Sequence, residues 1–507
     1  MTAKVVMVQG TASSVGKSIL VTALCRILRQ DGHRVAPFKA QNMALNSYVS
    51  ADGGELGRSQ AVQAEAAGAE MTVHMNPVLL KPEADARCQV VLLGRPFKTL
   101  SAGEYYDFKD QLWPVVLDSL ARLREEYDVV VIEGAGSPAE VNLKGNDIVN
   151  MRVARAAGAP VLLVADIDRG GVFASLVGTM ELLEPVERLL VKAFVINKFR
   201  GDVELLKPGL DFLRERTGVP VAGVIPYIHH LGIADEDSVS LEGREWRAQR
   251  AGKIIVALVD LPHIANFDDF DPLRAEPEVE LRLVKQASEL QGADLIILPG
   301  SKTTVGDLQY LRSSGLADSI TAASKRGVPI LGICGGYQML GLRLADPMGL
   351  ESAQGEVRGL GLLPVETTFA PEKSTQRVRG RVLPSPGLLS LAAGEEVEGY
   401  EIHMGQSLVG GQAVLSLSER NGGSETTVDG AVSADGLVVG TYVHGFFDRH
   451  GLRRRLLAWL AERKGETLGA GEPAFDRQQA YDRLAEVVRG SLDMRLIYQL
   501  VGLEARR

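Results

Sequence analysis

Cysteine is scarce: Cys25, Cys88 and Cys334 are the three in the chain, and they stand far apart. None has the close pairing of a structural metal site, so neither a disulfide framework nor a thiolate metal centre is expected, and a reducing cytoplasm fits. No apolar run approaches the ~20 residues needed to cross a bilayer. The first residues show no basic segment leading into a long apolar core, so no signal peptide is expected. A basic excess is missing too. The 55 Lys and Arg face 64 Asp and Glu, a net charge of −9, which argues against a nucleic-acid footprint. What remains is the composition of a soluble globular protein, 45% hydrophobic and 23% charged. Its 507 residues exceed the ~250–300 at which a single core stops growing, so more than one domain is expected.

Lys4 to Gln9 reads as a short strand that runs into Gly10-Thr11-Ala12-Ser13-Ser14-Val15-Gly16-Lys17-Ser18, with a helical pattern from Ile19 to about Gln30. A glycine-rich loop between strand and helix aims backbone N–H groups and the helix dipole at phosphate. The Lys reaches the terminal phosphates and the Ser hydroxyl suits Mg²⁺. Five residues separate Gly10 from Gly16, one more than in the usual form of this loop. The longer form resembles that of dethiobiotin synthetase. That resemblance implies ATP at Gly10, Thr11, Ser14, Val15, Gly16, Lys17 and Ser18, and makes Lys39, at the end of the next strand (34–38), the residue that holds a substrate carboxylate or acyl phosphate. Asp52, in a Gly-rich turn, is a candidate Mg²⁺ ligand beside Ser18. A surface lysine and a turn-forming aspartate are the competing readings of Lys39 and Asp52. A helix is expected from Ser59 to Ala69, and then an irregular, site-lining segment from Asn76 to Pro82.

Asp128 to Glu133 reads as a buried strand ending in Glu133-Gly134-Ala135-Gly136. A carboxylate at the C-terminal edge of such a strand is placed to hold Mg²⁺ beside the loop, and dethiobiotin synthetase has a similar run. Further strands follow at 160–166 and 192–196. Asn197-Lys198 ends the latter and resembles the base-reading pair of related P-loop enzymes, with a strand-ending turn as its alternative. Successive β–α units predict a doubly wound α/β domain over residues 1–240. Residues 241–253 lose apolar periodicity and read as a linker. A second α/β domain is expected over 254–450, from strands at 254–259, 281–284 and 294–298. A polar helical tail over 451–507, broken by glycines near 465–471, is expected to pack on the second domain.

Within the second domain, Ile330 to Ile333 is an apolar strand that stops at Cys334, flanked by Gly332, Gly335 and Gly336. Small residues around a nucleophile suit a sharp strand-to-helix turn, where the helix N-terminus favours thiolate. A buried structural thiol is the plainer alternative. Gly440-Thr441-Tyr442-Val443-His444 ends another apolar strand and could deliver a base. The two motifs resemble class I glutamine amidotransferase domains. The resemblance implies Cys334 as nucleophile, His444 as base, and an oxyanion hole from the backbones of Gly300 and Gly335. In that family a Glu two residues after the His orients it; here the position is Phe446, a departure shared with the branch that amidates corrinoid side chains. A Cys334–His444 dyad is therefore expected. His403, within Gly399 to Gly405, is a lesser rival base and is expected to be structural, in a loop.

The two halves together resemble the corrinoid amidoligases. This implies ATP, Mg²⁺ and glutamine as requirements, and a corrinoid as the small-molecule substrate. One branch amidates the b, d, e and g carboxylates of adenosylcobyrinic acid a,c-diamide in cobalamin biosynthesis; a second makes the a,c-diamide. Asn76 to Pro82 and Ser137 to Glu140 favour the first. A non-catalytic P-loop protein with a decayed glutaminase domain is the remaining alternative. Lys17→Ala is expected to abolish amidation while some glutamine hydrolysis survives; full amide yield would overturn the P-loop assignment.

Overall fold

The computed structural model describes residues 2–82, 87–229, 232–233, 254–469 and 475–504, so the expected 241–253 linker lies outside the described residues. The chain forms two compact units. One comprises Met1–Ala44, Glu55–Glu236 and Asp476–Arg507; the other comprises Leu45–Gly54 and Asp237–Phe475.

The first unit is built on six strands in the order Val221–Pro226, Val191–Phe199, Val161–Asp166, Lys4–Gly10, Val129–Glu133, Val35–Phe38. Every pairing is parallel. Strands covered on both faces read as unbroken apolar runs, and Val-Val-Val-Ile-Glu at 129–133 is buried at all positions. Lys4–Gly10 lies between Val161–Asp166 and Val129–Glu133. The strand order therefore changes direction there, which is where such sheets bind ligands. The helix Lys17–Gln30 follows and buries ten of its fourteen residues. A four-stranded sheet of Gln41–Met43, Val78–Pro82, Arg87–Leu92 and Arg95–Ser101 stands beside this core. The expected irregular segment at Asn76 to Pro82 is thus mostly strand. Its polar Lys81 is buried in an ion pair with Glu55, which lets a charged residue sit in a sheet.

The tail divides, which corrects the expectation for it. His450–Arg463 stays with the second unit, its Leu452, Leu456, Leu457 and Leu460 sharing that unit's core. Arg477–Ser491 and Met494–Val501 belong to the first. Ala480, Tyr481, Leu484 and Val488 join the core around Lys17–Gln30. Arg26 meets Asp482 at 2.7 Å and Arg489 meets Asp31 at 2.9 Å. Gly223 makes the approach possible, since a Cβ there would lie 2.1 Å from the Ser491 carbonyl oxygen.

The second unit has six strands in the order Val279–Val284, Ile254–Val259, Leu295–Leu298, Ile330–Ile333, Val438–Thr441, Ala431–Val432. All pair in parallel except the last two. A second sheet is centred on the long strand Val365–Val382, which pairs antiparallel with Glu396–Val409 and Leu415–Arg420. The sequence reading did not anticipate this sheet. His403 lies inside Glu396–Val409, so the expected loop there is a strand.

Leu484→Ala should lower the stability of the first unit by about 2–5 kcal/mol through the cavity it leaves. Alkylation of Cys25, buried in the same core, would report it in a urea titration followed by mass spectrometry. An unshifted midpoint would contradict the packing of this helix on Lys17–Gln30.

Candidate functional site

In the second unit the strand Ile330–Ile333 ends at Cys334, whose φ of 50° and ψ of −108° are unusual for a residue with a side chain. Such strain marks nucleophile elbows. The neighbours cannot carry a Cβ: at Gly336 it would lie 2.1 Å from the Leu298 carbonyl oxygen, and at Gly332 2.6 Å from Leu340. The Cys334 thiol lies 3.4 Å from the Ile402 carbonyl oxygen. His444 follows the strand Val438–Thr441, and its backbone is fixed by paired hydrogen bonds with Tyr400.

The residue that orients His444 is Asp269. Its carboxylate lies 2.6 Å from His444 Nδ1 and accepts the Gly445 N–H at 2.9 Å. Both side chains are almost wholly buried. Burial alone would push the imidazole down. The charge and hydrogen bond of Asp269, aided by a hydrogen bond to Cys334, outweigh it and hold the ring up at about 10. The expected Cys334–His444 pair therefore has a buried carboxylate, Asp269, in the position of a third member. Phe446, where related domains place a carboxylate, is buried against Phe447. Asp269 sits in the short turn Phe267–Phe270, far upstream in sequence. The available signal was Phe-Asp-Asp-Phe, an acidic pair in an apolar frame, because a buried carboxylate needs a partner.

His403 is structural, as expected. Its ring stacks on Tyr442 at 3.7 Å, Nδ1 donates to the Gly405 carbonyl oxygen at 2.8 Å, and burial pushes it down to about 4. Gly300 and Gly335 both border the Cys–His pair. A Cβ on Gly300 would meet the His444 ring at 3.0 Å, and one on Gly335 would meet the Ser301 backbone nitrogen at 2.9 Å.

In the first unit Gly10 ends the first strand, and Ser14 and Gly16 turn the loop with φ of 58° and 99°. The Thr11 N–H donates to the Val164 carbonyl oxygen at 2.9 Å, tying the loop to the sheet, and Val15 is buried in the core around Lys17–Gln30. The Lys17 ammonium donates to the carbonyl oxygens of Ala12 and Gly136, at 2.9 and 3.0 Å, so it spans the loop mouth. The Ser18 hydroxyl donates to Glu133 at 2.9 Å, and the Lys39 ammonium meets the same carboxylate oxygen at 2.9 Å. Lys39 is thus a buried residue of the site, not a surface lysine. Gln63 also donates to Glu133, from the helix expected over Ser59 to Ala69, in which nothing marked it as a site residue. Asn150 braces the loop after Glu133 through the backbone of Ala135, at 3.1 and 2.7 Å.

Asn197 and Asp52 have partners that the sequence did not mark. Asn197 gives its amide to the Val15 carbonyl oxygen at 2.9 Å, and a Cβ on Gly16 would collide with it. It braces the P-loop with one of its two amide N–H bonds. Lys198 does likewise through the Ser14 carbonyl oxygen at 2.7 Å and Asp166 at 2.8 Å. Asp52 belongs to the second unit, where its carboxylate takes the Ser50 hydroxyl of its own turn.

Residues 6–241 match the family described as CobQ/CobB/MinD/ParA nucleotide binding domain, and 255–452 match the CobB/CobQ-like glutamine amidotransferase domain. Over 520 residues the chain is 57% identical to a cobyric acid synthase of Sorangium cellulosum, covering 100% of both chains. It is 52% identical over 501 residues to one of Dehalococcoides mccartyi, covering 99% of each. A third, of Desulfitobacterium hafniense, is 53% identical over 506 residues, covering 98% of each.

Asp269→Asn should lower kcat/KM for glutamine by about 10²–10⁴-fold, because a neutral amide neither holds the imidazolium nor fixes its tautomer. Steady-state glutamate release would show it. A change of only a few-fold would remove Asp269 from the triad.

Proposed function

The chain belongs to the cobyric acid synthase family, and on that premise we propose how its residues divide the ATP- and glutamine-dependent amidation of corrinoid carboxylates. The reading is supported above all by one observation: a complete Cys334–His444–Asp269 triad and a complete P-loop with its strand-end carboxylate occur in one chain.

In the second unit His444 takes the Cys334 proton at Nε2, since Nδ1 is engaged by Asp269. The thiolate attacks the glutamine side-chain amide, the tetrahedral oxyanion is held by backbone N–H groups at Gly300 and Gly335, and His444 gives the proton to the amide nitrogen so that ammonia leaves. Water, deprotonated by the same imidazole, then releases glutamate. In the first unit Lys17 and the loop N–H groups hold ATP. A substrate carboxylate takes the γ-phosphoryl group to become an acyl phosphate, and ammonia displaces phosphate to leave the amide.

Mg²⁺ takes hard oxygen ligands. The Ser18 hydroxyl and Glu133 carboxylate, one hydrogen bond apart, supply two. The carboxylate already faces a cation in Lys39, so the site fits the ion. When bound, Mg²⁺ offsets the charge of the transferring phosphates. Lys39 is then placed to pass from Glu133 to the substrate carboxylate or acyl phosphate.

The substrate within the family is adenosylcobyrinic acid a,c-diamide, amidated at its b, d, e and g carboxylates. Incubated with enzyme, ATP, Mg²⁺ and glutamine, it should give a product whose mass falls by four acid-to-amide replacements. No mass change alongside intact glutamine hydrolysis would discard the corrinoid and keep the amidotransferase chemistry.

A further inference from the structure

The turn that carries Gly300 is held by more than its own chain. Gly300–Ser301 pairs antiparallel with Ile264–Ala265, Ala265 lying opposite Gly300 and Ile264 opposite Ser301. One residue further along, the Lys302 N–H donates to the His263 carbonyl oxygen at 2.9 Å. Side chains add a second tie. The Ser301 hydroxyl donates to Asp307 Oδ2 at 2.6 Å and accepts the Thr303 N–H at 3.0 Å. His263 Nδ1 lies 2.8 Å from Asp307 Oδ1, and the His263 N–H donates to Asp307 Oδ2 at 3.3 Å. One carboxylate thus ties His263, which leads into Ile264–Ala265, to the side chain of Ser301. The same turn lies against the His444 ring and Gly335, so a shift of Ser301 moves the Gly300 N–H relative to Cys334.

Asp307 is wholly buried on the helix Thr304–Ser313, and a buried carboxylate needs a counter-charge. A carboxylate only accepts, so the Nδ1 facing it carries a proton. The His263 side chain is 40% exposed, and its ring can take or lose the second proton. The hydrogen bond to Asp307 raises its pKa against the opposing effect of burial, and the charges of Asp307 and Glu351 act in the same upward direction. Two more charged groups stand nearby. Asp260 pairs with Lys285 at 3.4 Å, and Lys302 faces Glu351. Glu351 accepts the Thr304 N–H at 2.8 Å and is pushed up to about 7 by burial. Because the folded ring binds its proton more tightly than usual, its charge support is complete below the ordinary histidine value of about 6.5. It fades as pH rises through the higher folded value.

We propose that His263 is a positioning residue for glutamine hydrolysis, fixing the Gly300 N–H, through Asp307 and Ser301, at the point where the tetrahedral oxyanion forms. The inference rests on the glutaminase reading of Cys334 and His444. A preorganised donor works only when it is held within about 0.5 Å of its productive position, and the charge of His263 supplies that hold. The loss on weakening it falls on kcat, because the oxyanion exists only after glutamine is bound.

His263→Gln keeps a hydrogen-bond donor and drops the charge, whereas Ser301→Ala cuts the tether and leaves Asp307 and His263 in place. In the full-length enzyme at about pH 6, each should lower kcat for glutamate release about tenfold with KM nearly unchanged, less than the 10²–10³-fold cost of losing a donor outright. For His263→Gln the deficit should shrink toward unity as pH rises to about 9, where the unaltered ring is discharged. Glu351 titrates in both enzymes and cancels from the ratio. Glutamate γ-semialdehyde probes the hole directly: the Cys334 thiolate adds to its carbonyl carbon, and the carbonyl electron pair passes to the oxygen that the hole holds. Its inhibition constant should rise about tenfold in both variants at about pH 6; the ratio at one pH is independent of how much probe is cyclised. Alkylation of Cys334 by iodoacetamide, which displaces iodide and forms no oxyanion, should keep its rate. An unchanged kcat, a deficit in His263→Gln that does not vary with pH, or alkylation lost in step with aldehyde binding overturns the proposal. An unaltered enzyme that neither alkylates at Cys334 nor binds the aldehyde would instead overturn the glutaminase reading itself.

Discussion

A carboxylate removed from water must meet a cation or gain a proton. Asp269 meets His444, and the rest of the glutaminase unit is arranged around that pair. The contact fixes which imidazole nitrogen carries the proton, and so which one faces Cys334. It also fixes the turn from Asn266 to Phe270 against the end of Val438–Thr441, because the second carboxylate oxygen takes the Gly445 N–H. The strained backbone at Cys334 is then held from both sides, by the glycines that let Leu298 approach and by the strand that carries the histidine.

The P-loop unit solves a similar problem with different parts. Glu133 is buried at the end of an apolar strand and gathers Ser18, Gln63 and Lys39. A carboxylate surrounded by donors is already organised as a cation site, and the P-loop is stiffened by Asn197 and Lys198 bonding to its carbonyl groups while Asn150 braces the loop after Glu133. The backbone N–H groups that would meet phosphate are thereby held without a ligand. This is electrostatic preorganisation in the usual sense.

Much of this was legible in the residues. Cys334 and Gly16 are marked by local chemistry, since a sharp turn needs small neighbours. Glu133 is marked by an abrupt charge at the end of an apolar run. Asp269 was not legible, because its role depends on a partner 175 positions away and on Phe446 lying in the core instead of in the site. The placement of Asp52 in the second unit was hidden for a related reason: a Gly-rich acidic turn looks the same whichever unit it docks against. The tail helices showed a buried face in their pattern, but periodicity reveals that a face is covered and not what covers it. Asn76 to Pro82 read as irregular because a lysine and two prolines mask a short strand whose charge is neutralised by Glu55.

The first unit is closed by residues that come last. A ribosome that has delivered the chain through residue 475 has made every residue of the glutaminase unit, yet Lys17–Gln30 still lacks the helices that cover it. Domains fold as their sequence emerges, so the ammonia-producing half can mature while its consumer still exposes apolar surface. The core of the nucleotide-binding half is therefore completed after the glutaminase half, by residues 476–507, which lie beyond the glutaminase sequence.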